Sequence, residues 1–163
     1  MKNLLRMFVA LIVLFAVACK KDNAEKPVCC VIPDLAYIKA QKSGVAWQAR
    51  PEYFKTQTDS VTIIGRQENE LVLIRIKFTG KGSYAITPAQ ASLTYLIGGD
   101  GIVAEYYADD AATNTLEVTD YNAEKNNIKG NFNVTFKKSA RYTDATFAQT
   151  VKFSQGSFSV FIP

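Results

Sequence analysis

From Tyr37 onward apolar and polar residues alternate with a period of two, and turn-forming residues interrupt the alternation about every ten positions. The clearest run is Ile128 to Lys137. Ile128, Gly130, Phe132, Val134 and Phe136 fall on one face, and Lys129, Asn131, Asn133, Thr135 and Lys137 on the other. Such a strand has one buried and one wet face. Leu116 to Tyr121 alternates in the same way, and the polar stretch 122–127 between the two tolerates turn geometry, so the pair predicts a β-hairpin.

Val72, Ile74, Ile76 and Phe78 form another inward row with Arg75 and Lys77 outward. Leu71 and Leu73 make its first half apolar on both faces, the pattern of a central strand. Ser60 to Ile64 pairs before it across residues 65–69. Ser92 to Ile97 and Ile102 to Tyr107 follow, joined by Gly98-Gly99-Asp100-Gly101, whose glycines permit positive φ. The end of the chain is extended too: Val151 and Phe153, a bend at Gln155-Gly156, then Phe158, Val160 and Ile162.

Two segments admit alternatives. Asp34 could cap a short helix reaching Lys42, but Lys42-Ser43-Gly44 suits a hairpin between Tyr37–Ala40 and Val45–Ala49, and the hairpin is favoured. Ser139 to Gln149 is polar with isolated aromatics and predicts a long loop with a ragged edge strand. The fold class that results is all-β: an antiparallel β-sandwich or barrel-like domain of about eight to ten strands.

The first 36 residues have a different character. Lys2 and Arg6 precede an apolar run from Met7 to Ala18, and no acidic residue occurs before Asp22. That is the basic-then-apolar layout of an export signal. The run is shorter than the roughly 20 residues a membrane-crossing helix needs. Small residues lead into a cysteine, Ala16-Val17-Ala18-Cys19, an arrangement similar to the lipobox of bacterial lipoproteins, with Ala16 a less usual choice at its position. The resemblance implies lipidation of Cys19 and cleavage just before it. Acyl chains contribute about 0.8 kcal/mol per buried methylene, so two or three of them anchor a protein stably. The alternative is an ordinary signal cut after Ala18 that leaves a plain cysteine.

The domain layout that follows is a signal peptide over 1–18, a lipidated Cys19 with a flexible tether over 19–33, and a single β domain over 34–163. The polar stretch after Cys19 would span about 20 Å root mean square. Its start partly resembles the lysine-plus-acidic signal of surface-exposed Bacteroidota lipoproteins, with Asp22 alone where that pattern has a pair. The expected location is the outer membrane, lipid-anchored, on either its periplasmic face or the cell surface.

Composition narrows the chemistry. Of the 19 basic residues, Lys2 and Arg6 leave with the signal, so 17 face 15 acids. An excess that small, with no Lys/Arg stripe, gives no reason to expect nucleic acid as a partner. Beyond Cys19 the only cysteines are Cys29 and Cys30, so the domain has no disulfide scaffold. That pair could close a vicinal disulfide, pair between molecules, or be incidental. With no histidine anywhere, Ser/His/Asp and Cys/His nucleophilic sites are excluded, and neither a metal nor another cofactor is expected.

Paired carboxylates remain conceivable for a small carboxylate-dependent hydrolase, and Asp100, Glu105, Asp109, Asp110, Glu117 and Asp120 cluster in sequence. Most fall in turns or opposite apolar positions, where a solvated acid is ordinary. Asp109-Asp110 and Gly99-Asp100-Gly101 offer oxygen ligands of the kind Ca²⁺ prefers, but the alternating-acid spacing of an EF-hand is absent. The glycines at 98–101 lack the lysine and helix of a phosphate loop. Aromatic residues give a better lead. Trp47, Tyr53, Phe54, Tyr95, Tyr106 and Tyr107 lie near polar loops, where flat rings can stack on sugars or anchor a protein. Tyr106 and Tyr107 face opposite sides of a regular strand, so one of them belongs to the core. The candidate binding residues are Trp47, Tyr95, Tyr106 and Tyr107.

Several pieces of the chain, in order, resemble a family of uncharacterised Bacteroidota lipoproteins with one β-rich domain of unknown function. They are Ser43-Gly44-Val45-Ala46-Trp47, Gly82-Ser83-Tyr84 before a strand, Leu116-Glu117-Val118-Thr119-Asp120-Tyr121, Ile128-Lys129-Gly130-Asn131-Phe132, and Gln155-Gly156-Ser157-Phe158. The resemblance implies fold and location and transfers no activity. The expectation is a non-enzymatic binding or accessory module of the cell envelope, held to the membrane through Cys19, with a glycan or an envelope protein as partner.

Overall fold

The computed structural model describes residues 36–55 and 59–162, with the side chains of 53–55 left aside. The expectations for the signal, Cys19, Cys29, Cys30, the tether and the rings of Tyr53 and Phe54 lie outside the described residues. No helix occurs among the described residues. Ten strands follow one another: β1 (Tyr37–Lys42), β2 (Val45–Lys55), β3 (Ser60–Gln67), β4 (Glu70–Lys77), β5 (Gly82–Ala85), β6 (Ala91–Ile97), β7 (Gly101–Ala108), β8 (Thr115–Asn122), β9 (Asn127–Lys138) and β10 (Thr150–Phe161).

All the pairings are antiparallel. The order β10-β1-β2-β3-β4-β6-β7-β9 is closed by a β9–β10 ladder, so these eight strands form a ring with no sheet edge around its waist. The two remaining strands extend one side of the ring. β7 meets β9 only over Tyr106–Ala108, opposite Phe136–Lys138. The chain then bends outward and runs on in the same direction as β8, which pairs with Asn127–Asn133 on the same edge of β9 and carries β5 on its far side. Buried Asn114 fills the break. Its Nδ2 donates to the Asp109 carbonyl at 2.7 Å, and its Oδ1 accepts the Thr135 N–H at 2.8 Å, where β9 changes partners.

The alternation explains the interior. Ile128, Phe132, Val134 and Phe136 of β9 are buried together with Ile38, Trp47, Val72, Ile74, Ile76, Leu93, Tyr106, Phe153 and Phe158. Eight strands enclose a space that side chains can just fill. Here aromatic residues fill much of it, Phe153 taking Trp47 edge-on at 5.0 Å and Phe136 at 5.6 Å.

Two short glycine motifs interlock across the closing ladder. Gly130 is paired with Phe158, and Phe132 with Gly156, so each phenylalanine lies against the other strand's glycine. A Cβ on Gly130 would stand 2.7 Å from the Phe158 ring and 1.9 Å from the Glu117 carbonyl oxygen. A Cβ on Gly156 would stand 2.6 Å from the Phe132 ring. The Gln155-Gly156 bend expected from sequence is a β-bulge inside a continuous strand. Ser154 and Gln155 both oppose Asn133, Gln155 has φ +51°, and its N–H is taken by Asn133 Oδ1 at 3.0 Å.

The Tyr37 hairpin forms as favoured, with no helix before Lys42. Gly82-Ser83-Tyr84 is itself strand β5 rather than a lead-in to one. Residues 139–149 carry no strand; the buried Lys138 ammonium donates to the carbonyls of Asp144 and Phe147 at 2.8 and 2.7 Å instead. The strand directions bring the turns 43–44, 68–69 and 98–100 and the segment 139–149 to one end of the ring, the mouth. The turns 78–81 and 122–127 lie at the other end, where the chain leads into β1.

Candidate functional site

At the mouth the inward rows run past the dry core. β1 continues from Ile38 and Ala40 to Lys42, β2 from Ala49 and Trp47 to Val45, β4 from Val72 to Glu70, and β6 from Leu93 to Tyr95. These end positions line a cleft of about 460 Å³ together with Ala46 and residues 67–69. Charge is tolerated there because water reaches it and because Lys42 and Glu70 pair with each other.

Glu70 is the hub. Its Oε1 is ion-paired with the Lys42 ammonium and its Oε2 accepts the Trp47 indole N–H at 3.0 Å. Lys42 also lies over the Tyr95 ring, 5.2 Å from its centre. Burial alone would lower the Lys42 pKa, but the hydrogen bond and charge of Glu70 outweigh it, and the ammonium is held above its ordinary value. Burial raises the Tyr95 phenol, and the Lys42 charge opposes that only in part.

Beneath Tyr95 the segment 139–149 plugs part of the mouth. Phe147 packs on Tyr95 at 5.1 Å and Tyr106 meets it at 5.7 Å. Tyr106 is buried, donates its hydroxyl to the Ala148 carbonyl at 2.8 Å, and is pushed up to about 12 by burial and then by Tyr95.

Of the four aromatic candidates, Trp47 and Tyr95 meet at the cleft and Tyr106 sits below them in the core. Tyr107 stands apart on the outer wall, 41 % exposed, with its phenol raised first by a hydrogen bond to Glu105. None of the three at the mouth offers an open ring face. Trp47 is only 5 % exposed, and Tyr95 is covered by Lys42 and Phe147. Tyr106 is therefore a core residue rather than a surface platform. The exposed apolar residues are Val45 at 70 %, Ile97 at 65 % and Ile102 at 49 %. Val45 is beside the cleft, and Ile97 and Ile102 flank the 98–100 turn.

The carboxylates that cluster in sequence do not converge. Asp100, Asp110, Glu117 and Asp120 are exposed; Asp109 caps the β7–β8 bend by accepting the Ala111 N–H at 3.1 Å, and Asp120 pairs with Lys81 at 3.4 Å. Among the described residues no three acids or cysteines gather as metal ligands. Lys42 and Glu70 were not legible as site residues, because a charged residue ending an apolar row reads as a solvated strand end. Residues 34–161 match the model of a family described as a domain of unknown function, DUF6252. No curated protein and no solved structure matches the chain.

Proposed function

The chain belongs to the DUF6252 family, and on that premise we propose that it is a membrane-anchored envelope lipoprotein whose barrel is a non-enzymatic binding or accessory module, engaging a protein partner at its mouth. The observation that carries this reading is the combination found there: a cleft in which Lys42 and Glu70 are paired, lined by exposed Val45, at the same end of the ring as exposed Ile97 and Ile102. Exposed aliphatic residues around a polar cleft suit a protein surface. A glycan is supported less well, since stacking needs an open ring face and the rings at the cleft are covered.

The hydrolase alternative draws little support from the same geometry. A general acid or nucleophile needs a carboxylate free to move a proton or attack, and both oxygens of Glu70 are engaged. The anchoring half of the proposal rests on the sequence around Cys19 and on no part of the barrel.

Both halves are open to direct measurement. A clickable palmitate analogue fed to expressing cells is expected to label the protein and to be lost in Cys19→Ser; equal labelling of the variant sinks the anchor. A photo-crosslinking amino acid placed at Val45 or Ile97 is expected to give discrete protein adducts in cells, with none at Tyr107. Adducts from the outer wall and silence at the mouth would place the binding surface elsewhere.

A further inference from the structure

The β1–β2 hairpin turns on two residues of positive φ, Ser43 (+49°) and Gly44 (+87°), so Lys42 and Val45 are its first pair. In a two-residue hairpin that pair exchanges both backbone bonds, and bonded and non-bonded pairs then alternate. Val45, Trp47 and Ala49 therefore turn their N–H and C=O toward β1. Ala46 and Gln48 turn theirs the other way.

From Arg50 downward β3 takes up that other side, with Arg50 opposite Arg66 and Lys55 opposite Val61. Above Arg50 it does not, because β3 ends at Gln67 and the chain doubles back through Glu68, at φ +35°, and Asn69. The Asn69 carbonyl is taken by the Leu96 N–H at 2.8 Å. Among the described residues no backbone group pairs with Ala46 or Gln48 on the β3 side. The upper edge of β2 thus stands open over about 16 Å, five residues at the strand rise, and its first three residues, Val45 to Trp47, line the mouth cleft.

An unpaired edge is a template for another strand, and proteins that need to block one place Lys, Pro or a bulge along it. None of these occurs from Val45 to Ala49, and Ala46 and Gln48 are exposed and uncharged. The surrounding side chains suit an extended peptide. Val45 and Trp47 lie on the inner side of the edge. Across the cleft Glu68 is exposed and makes no ion pair among the described residues, while Glu70 is already neutralised by Lys42.

We propose that the upper edge of β2, Val45 to Ala49, accepts an extended segment of a partner polypeptide as an added strand. The segment's main chain bonds to Ala46 and Gln48, one apolar side chain lies against Val45 and Trp47, and a Lys or Arg meets Glu68. Main-chain bonds of this kind supply affinity, and pockets for alternate side chains supply selectivity. The inference rests on the reading of the barrel as a protein-binding module and names the mode of binding. The exposed Glu68 carboxylate that lines the cleft beside this edge favours a basic extended segment of another protein as the occupant.

The test uses the full-length chain in detergent and a phage-displayed library of random heptapeptides as the probe. Recovered peptides are expected to alternate apolar and polar residues, to carry a Lys or Arg, and to weaken about tenfold or more against Ala46→Pro and Gln48→Pro. Each proline removes one N–H from the cleft side and none from the β1 ladder. Glu68→Gln is expected to cost several-fold for basic peptides alone. A second measurement needs no variant: in the wild-type chain the amides of Ala46 and Gln48 slow in hydrogen exchange when peptide binds.

Absence of any enriched peptide overturns the proposal, as do peptides indifferent to both prolines or unchanged exchange at Ala46 and Gln48. Peptides lost only in Val45→Ser and Ile97→Ser overturn strand addition and leave the binding-module reading standing. No peptide together with silent crosslinking at the mouth removes both. A dimer that Gln48→Pro dissolves would overturn it in favour of pairing between two copies.

Discussion

The ring is closed at one seam and left open at another, and the two are built from opposite materials. Along β9–β10 the ladder runs from Thr150 opposite Lys137 to Phe161 opposite Asn127, interrupted by one bulge. Gly130 and Gly156 there give up their side chains so that Phe158 and Phe132 can lie flat across the strands. Along β2–β3 the ladder stops at Arg50, and the space above it is bounded by Lys42, Glu68 and Glu70. The first seam has no room for one more carbon, and the second leaves a strand edge unpaired. Permanent closure here is a matter of steric complementarity, which is insensitive to salt and pH. The open seam is held by a pair of charges and an indole N–H, which respond to both.

The largest expected effect comes from spoiling the tight seam. Gly130→Ala puts a methyl group into the Glu117 carbonyl and should cost about 3 kcal/mol or more, read as a lowered midpoint in urea. A change under about 0.5 kcal/mol would mean the interlock contributes little. Next comes the plug beside the open seam. Lys138→Met leaves the Asp144 and Phe147 carbonyls without their charged donor and should cost about 2 kcal/mol. Its signature is faster amide exchange confined to 139–149; uniform loss across the barrel would contradict a local tie.

The smallest effect belongs to the open seam. Glu70→Gln removes the charge that faces Lys42 at a partly exposed pair, which is worth under about 1 kcal/mol. The sign with pH is defined. Because the Lys42 pKa is raised in the folded state, the pair's contribution is fully present below the lysine's ordinary value of 10.5 and is lost as pH climbs through the folded one. The stability difference between wild type and Glu70→Gln should therefore shrink on moving from neutral pH to strongly alkaline conditions. In the variant the Lys42 pKa should fall, observable by heteronuclear magnetic resonance of the side-chain amine; a rise or no movement would contradict the role given to Glu70.

The same contrast marks how far the sequence could be read. Local pairings were legible, because an apolar alternation on both sides of Ser43-Gly44 or 122–127 leaves a hairpin as the natural solution. Gly130-Asn131-Phe132 and Gln155-Gly156-Ser157-Phe158 stood out as motifs, but nothing in either one says that they cross each other, since that depends on a register between strands joined by an eleven-residue connection. Sandwich against barrel was undecidable for the same reason: one long-range ladder makes the difference. Tyr106 and Tyr107 separated as strand geometry requires, core from outer wall. The site escaped notice because its defining property is a mismatch of strand lengths. β2 overshoots β3 by five residues, and no residue type records an overshoot.

β1 begins at Tyr37, at the end of the ring away from the mouth, and its ladders to β2 and β10 run along its whole length. Were the chain before β1 held, as proposed, and Ala46 gripped by a partner, tension would act mainly along the strands, because Ala46 lies opposite Gln41, four residues beyond Tyr37. Those bonds must then rupture together, in sliding, rather than peel one after another. A protein so loaded would be a mechanical link between its proposed anchor and its proposed partner. Optical-trap pulling between positions 37 and 46 should give a higher rupture force than pulling between 42 and 45, and equal forces would deny it that role.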